Sequence, residues 1–241
     1  MRIPRPRRLT LAVGGLLAVV VIAGVAAVSA IDPAAYRDTL EKRASAATGR
    51  TVRIGGDMAL AIGLQPRLTV HDLRVANPDW APTENFLRAD KAAVDIALLP
   101  LLWGEVRLRR VALNAPEIHL TRGRDGERTW GFSAPDNVPG RRPARVLAGL
   151  QQITVTDARL IYRAGPDAPA RTATLQRLAA HPAADAGLHL RGEGRLRGVR
   201  VRVRGTLGDP AQAFVKSHHY PVALTLRALG AQMRVDGTVI E

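Results

Sequence analysis

The sequence predicts a mainly β protein: an N-terminal transmembrane helix and a short amphipathic helix, then an elongated antiparallel sheet. Three observations carry that reading. Apolar residues alternate with polar ones through residues 52–120 and again from 153 onward, between Gly, Pro, Asn and Asp, the pattern of half-buried strands. A long uncharged apolar run stands ahead of them. Aromatic residues make up 4% of a chain that is 46% hydrophobic, so Val, Leu, Ile and Ala must fill any interior.

Leu9 to Ile31 forms the apolar run, 23 residues broken only by Thr10, Ser29 and a few glycines. As a helix it covers about 34 Å, enough for a bilayer core of roughly 30 Å. Arg2, Arg5, Arg7 and Arg8 crowd its N-terminal flank, and the first acid is Asp32. The positive-inside rule then keeps residues 1–8 cytoplasmic and translocates 32–241. Val28-Ser29-Ala30 resembles a cleavage site, so a cleaved signal peptide is the competing reading; signal-peptide apolar cores of about 7–15 residues are shorter than this one.

Asp32-Pro33 reads as an N-cap with proline at the first helical position, and Gly49 as the stop. Between them Tyr36, Leu40, Ala44 and Ala47 share one face. Arg37, Lys42 and Arg43 lie off that stripe. Such a helix either caps one end of a sheet or lays its basic face on lipid headgroups.

Strand signals follow. Val52 and Ile54 precede a turn at Gly55-Gly56-Asp57; Met58, Leu60, Ile62 and Leu64 alternate next. Leu68, Val70, Leu73 and Val75 end at Asn77-Pro78. Val94, Ile96 and Leu98 lead to a bend at Pro100 to Gly104. Val106, Leu108, Val111 and Leu113 precede a break at Ala115-Pro116, after which come Ile118 and Leu120. Residues 137–148, with Pro139, Gly140, Arg141, Arg142 and Pro143, read as a basic loop or linker. Strands resume at Ile153–Val155 and Leu160–Tyr162, joined by Asp157-Ala158. A polar loop at Gly165 to Ala170 and a run near Ala173 to Leu178 come next. From Leu188 on, Leu190, Leu196, Val199, Val201 and Val203 fall on one face and Arg200, Arg202 and Arg204 on the other. Arg202–Leu207 is echoed by Arg234–Val239, which suits hairpins stacked side by side.

The net charge is +14 with a pI near 11.5. A balance this basic favours anionic partners such as acidic headgroups or lipopolysaccharide, and an arginine-biased codon usage explains it equally well. Nucleic acid is disfavoured because aromatic stacking residues are scarce near the arginine stripe and translocation removes it from reach.

Several landmarks occur in order: Asp32-Pro33, Thr48-Gly49-Arg50-Thr51-Val52, Gly55-Gly56-Asp57, Leu68–Leu73, Ala76-Asn77-Pro78-Asp79-Trp80, Leu98–Gly104, Asn114-Ala115-Pro116-Glu117-Ile118 and Asp125-Gly126. This order resembles the N-terminal region of the AsmA family of Gram-negative inner-membrane proteins. Thr129-Trp130 stands where members commonly carry Asn-Trp. The resemblance implies an inner-membrane anchor at 9–31 and a periplasmic β-rich domain over 32–241. It also implies a curved sheet of the bridge-like lipid-carrier type, whose apolar groove takes phospholipid acyl chains, and a role in outer-membrane biogenesis. Family members are usually longer, so a short or truncated member is expected, ending on an unpaired strand.

No catalytic, cofactor or metal site is expected. Without cysteine there is no thiol nucleophile or thiolate metal site. His218-His219-Tyr220 is a histidine cluster whose neighbours point to opposite strand faces. Ser45, Ser133 and Ser217 lack a nucleophile-elbow context. Gly192–Gly198 misses the phosphate-loop spacing and reads as a hairpin turn. Arg122–Gly126 reads as a turn, and Glu117 with Asp125 lacks a supporting pocket. The lipid-facing candidates are Leu196, Val199, Val201 and Val203; the anionic-surface candidates are Arg200, Arg202 and Arg204. The alternative function is a scaffold that regulates outer-membrane protein assembly without binding lipid, through protein partners in the envelope.

Overall fold

The computed structural model describes residues 36–63, 65–97, 99–100, 107–130, 149–183, 187–209 and 220–239. The expected anchor at 9–31, the Asp32-Pro33 cap, the 137–148 loop and His218-His219 lie outside them. Among the described residues no helix is long and apolar enough to cross a membrane.

Among the described residues helix α1 (Arg37–Thr48) precedes twelve strands. These are β1 (Val52–Ile54), β2 (Met58–Ala61), β3 (Arg67–Ala76), β4 (Asn85–Ile96), β5 (Leu108–Asn114), β6 (Glu117–Thr121), β7 (Gln152–Arg163), β8 (Arg171–Pro182), β9 (Leu188–Leu196), β10 (Val199–Leu207), β11 (Tyr220–Ala228) and β12 (Ala231–Val239). All twelve lie in one sheet, in the order β1-β3-β4-β5-β7-β8-β9-β10-β11-β12, with β2 beside β3 and β6 between β4 and β7.

The expected antiparallel sheet is in fact mixed. β5 and β6 both run parallel to β7, pairing Val111 with Ile153 and Ile118 with Leu160. The chain between β6 and β7 therefore crosses over rather than folding back as a hairpin. β5 and β6 also hold one common register against β4, Leu113 opposite Ala92 and Ile118 opposite Leu87. They are one strand interrupted at Ala115-Pro116.

Two further expectations are corrected in the same way. Gly55-Gly56-Asp57 is a bulge, not a turn: β1 and β2 both pair with β3, Ile54 opposite Leu73 and Met58 opposite Val70. Gly56 fits because a Cβ there would lie 2.8 Å from the His71 Cβ and 3.1 Å from its carbonyl carbon. Ile153–Val155 and Leu160–Tyr162 belong to one strand, β7, in which Asp157 takes positive φ. β4 moreover begins at Asn85, well before the Val94 signal.

These interruptions line up. Apolar positions on the buried face are two apart along each strand, yet on five consecutive strands one interval is three: Val70 to Leu73, Ala89 to Ala92, Leu113 to Pro116, Val155 to Ala158 and Leu175 to Leu178. The ladders place these intervals side by side. Asp72, Ala115 and Asp157 take positive φ there, 49°, 46° and 54°. Register is unchanged on either side of each step, so the steps form one crease in the side-chain alternation that runs from β3 to β8. The crease ends at β9, where a one-residue register shift beyond Leu175 absorbs it.

Helix α1 closes the β1 edge. Arg37, Glu41 and Ser45 recur every fourth residue and so form one stripe. Val52 N–H donates to Ser45 Oγ (2.8 Å), Ile54 N–H to Glu41 Oε1 (2.7 Å), and Arg37 Nη1 to the Ile54 carbonyl (2.6 Å). Of the expected alternatives, sheet capping is what α1 does, with Arg37 turned inward, Glu41 buried and Tyr36 exposed. Gly49 ends it in the left-handed conformation, φ 67°, as expected. Glu41→Ala strands the Ile54 amide and is expected to cost about 1–3 kcal/mol in chemical denaturation, whereas Glu41→Gln, which keeps an acceptor, retains most of it.

Candidate functional site

Cross-strand pairing extends one apolar face over the whole sheet. A single row runs Val70, Ala92, Leu113, Val155, Leu178, Gly192, Val203, Leu226 and Met233, each directly opposite the next. Its tightest packing is at the crease, where Ile54, Val70 and Ala92 are buried among Met58, Leu68, Leu73 and Leu113. Exposure rises toward β12, and Leu196, Met233 and Val235 are 48%, 57% and 45% exposed. Among the described residues every strand belongs to this one sheet and packs on its ladder neighbours, with α1 on β1; Leu188, on the same face, is buried.

The four apolar candidates fall on this face as the alternation requires. Leu196 opposes Val199, Gly194 opposes Val201, and Gly192 opposes Val203. Gly194 has no room for a side chain, because a Cβ there would run into the Thr174 carbonyl. Arg200, Arg202 and Arg204 project from the other face, opposite Arg195, Glu193 and Arg191.

That other face is charge-balanced in the first half of the sheet. Asp95, 2% exposed, accepts from Arg67 Nε (2.5 Å) and Nη2 (2.9 Å), with Arg110 at 3.5 Å on its other side. Those hydrogen bonds hold its carboxyl below the usual range, against the opposing effect of desolvation, with the charges of Arg67 and Arg110 helping. Asp72 is lowered likewise, first by its bond to Arg74, with Arg88 adding to it. Glu117 is shared by His119 (2.9 Å) and Arg159 (3.5 Å), and Asp125 sits in the Arg122–Gly126 turn.

Some juxtapositions gave no local sequence signal. His181 and His189 become direct neighbours across β8 and β9, yet among the described residues no three metal-ligating side chains converge. Thr129, fully buried, takes the Thr121 N–H (2.8 Å) and donates to the His119 carbonyl (3.1 Å), tying the 122–130 loop to β6. Trp130 then rests near Tyr162, ring centroids 6.4 Å apart. The Gly192–Gly198 stretch is strand up to Leu196, and only Arg197-Gly198 forms the turn.

A single open layer with one unbroken apolar face defines a class of protein: a β-sheet platform that offers a long greasy surface. The AsmA family model matches residues 5–156, and the chain belongs to the AsmA family. It is similar to protein AsmA of Escherichia coli strain K12, 30% identical over 107 residues, which is 44% of this chain and 17% of that relative. The matched stretch thus spans about a sixth of the relative's length.

Because the folded pKa of Asp95 lies below its unfolded value, its stabilisation is complete above about pH 4 and is lost as pH falls through the lowered folded value. Denaturation midpoints between pH 2 and 7 should therefore show a shallower acid limb for Asp95→Asn than for the parent.

Proposed function

We propose that the protein acts in envelope biogenesis as a membrane-anchored periplasmic lipid carrier, holding phospholipid acyl chains against the apolar face of its sheet. The observation that carries this reading is the apolar face, continuous from β1 to β12, on a chain of the AsmA family. Each methylene taken from water contributes about 0.8 kcal/mol, so one row of aliphatic side chains is enough to hold a chain while letting it slide. The headgroup stays in water at the rim. The 9–31 segment supplies the inner-membrane tether in this reading, with residues 32–241 in the periplasm, and the sheet uses no catalytic group, metal or cofactor.

Site-specific photo-crosslinking in growing cells tests it. Val201→p-benzoylphenylalanine places the reactive group on the apolar face and Arg202→p-benzoylphenylalanine places it on the other. Phospholipid adducts at position 201 and their absence at 202 are expected. Protein adducts alone at 201 would instead establish the scaffold reading, and Val201→Glu with Val203→Glu should lower lipid capture at Leu224→p-benzoylphenylalanine at least fivefold.

A further inference from the structure

The polar face changes character beyond β8. In β1 to β7 its arginines are matched by Glu41, Asp72, Asp95 and Glu117. In β9 to β12 the acids are Glu193, opposite Arg202, and Asp236, paired with Arg234 at 3.9 Å, while Arg191 stands directly opposite Arg204, Arg195 opposite Arg200, and Arg202 also opposite Arg227. Among the described residues none of these six opposed arginines has an ion pair. Like charges directly opposed across a ladder destabilise it. An external anion relieves that repulsion.

The adjoining turn adds a second, independent feature. Leu229-Gly230 joins β11 to β12 with positive φ at both residues, 50° and 80°. Asn or Asp is favoured at the first of these positions, and a leucine there is strained. The side chain gains no burial in return, being 86% exposed. It borders a cleft of about 540 Å³ lined also by Arg200, Arg202, Arg227 and Gln232. A bare aliphatic tip framed by guanidinium groups matches the headgroup zone of an anionic bilayer, where arginines meet phosphates and an aliphatic side chain reaches the acyl boundary. Stacking aromatics, which nucleic acid would call for, are absent from the described lining of this cleft.

We infer that the β9–β12 corner is a docking surface for anionic phospholipid membrane, with Arg200, Arg202 and Arg227 taking headgroup phosphates and Leu229 inserting beside them. The contact is separate from the apolar face and stands whether or not that face carries lipid.

The chain contains no cysteine, so Ala231→Cys gives one labelling site beside Leu229. The full chain, labelled there with a polarity-sensitive dye and held in phosphatidylcholine nanodiscs, is offered vesicles of phosphatidylcholine alone or with phosphatidylglycerol. Capture should be at least about tenfold stronger with phosphatidylglycerol, with a blue-shifted dye, and should vanish in about 1 M salt. Arg200→Gln with Arg202→Gln and Arg227→Gln should lose at least tenfold. Leu229→Asn, which suits the turn, should keep the fold by circular dichroism and most of the charge-driven capture but lose the blue shift. The proposal is overturned by equal capture of neutral vesicles, by no capture, by an unaffected arginine variant, or by an oligonucleotide captured as strongly as phosphatidylglycerol. None of these outcomes touches the crosslink at position 201, so the two readings fail separately.

Discussion

A twelve-stranded ladder in one layer faces two demands that a sandwich escapes: its outer strand must satisfy its free backbone groups, and its apolar face has no partner sheet. The first demand is met at β1 by side chains. The edge amides of Val52 and Ile54 and the Ile54 carbonyl are all taken by the Arg37, Glu41 and Ser45 stripe. Those three residues make the first strand an end rather than a template for further pairing. The second demand is met only in part, by the crease.

Along the crease the apolar side chains of neighbouring strands crowd together, and Ala89, Ala92, Pro116 and Ala158 are buried. Small residues at these positions fit the crowded row; a leucine at each would hold the strands apart. Asp72 and Asp157 accept positive φ with little strain, as Asp does in turns. Ala115 does not share that tolerance. Its amide is fixed to the Thr156 carbonyl (2.9 Å) and Pro116 offers its carbonyl to Arg159 (2.8 Å), so the parallel ladder itself imposes the conformation. Beyond β8 the strands keep an unbroken two-residue period, and apart from the buried Leu188 and Gly194 the apolar face is half-buried to exposed.

What could be read from the sequence was local. The Val/Arg alternation from 199 to 204 gives β10 both faces, Gly49 stops α1, and the Ala115-Pro116 break is where the strand is cut. The three-residue step from Val70 to Leu73 was also visible, and its recurrence in four later strands is the one signal that announces the crease. Pairing partners were not legible. Val111 and Ile153 are 42 positions apart, and nothing in either segment marks the ladder between them as parallel. Glu41 hid for a similar reason: on a short basic helix it looks solvated, and only the position of the β1 edge makes it buried.

The same two-residue period that builds the apolar face drives every intervening residue to the opposite side. A chain rich in arginine thus concentrates cations on the polar face in proportion to how regular its strands are. Where three-residue steps break the period, in β3 to β8, acids such as Asp72 and Asp95 sit among those cations and balance them. Where the period is strict, in β9 to β12, arginine faces arginine at three places, with Glu193 and Asp236 the acids among them. Solvent screening makes such a face tolerable but gives no reason for the strained, exposed Leu229 beside it, since a polar turn residue there would be both more soluble and less strained. A leucine kept bare at the tip of a cationic corner is accounted for when that corner meets a surface that is negative outside and apolar beneath.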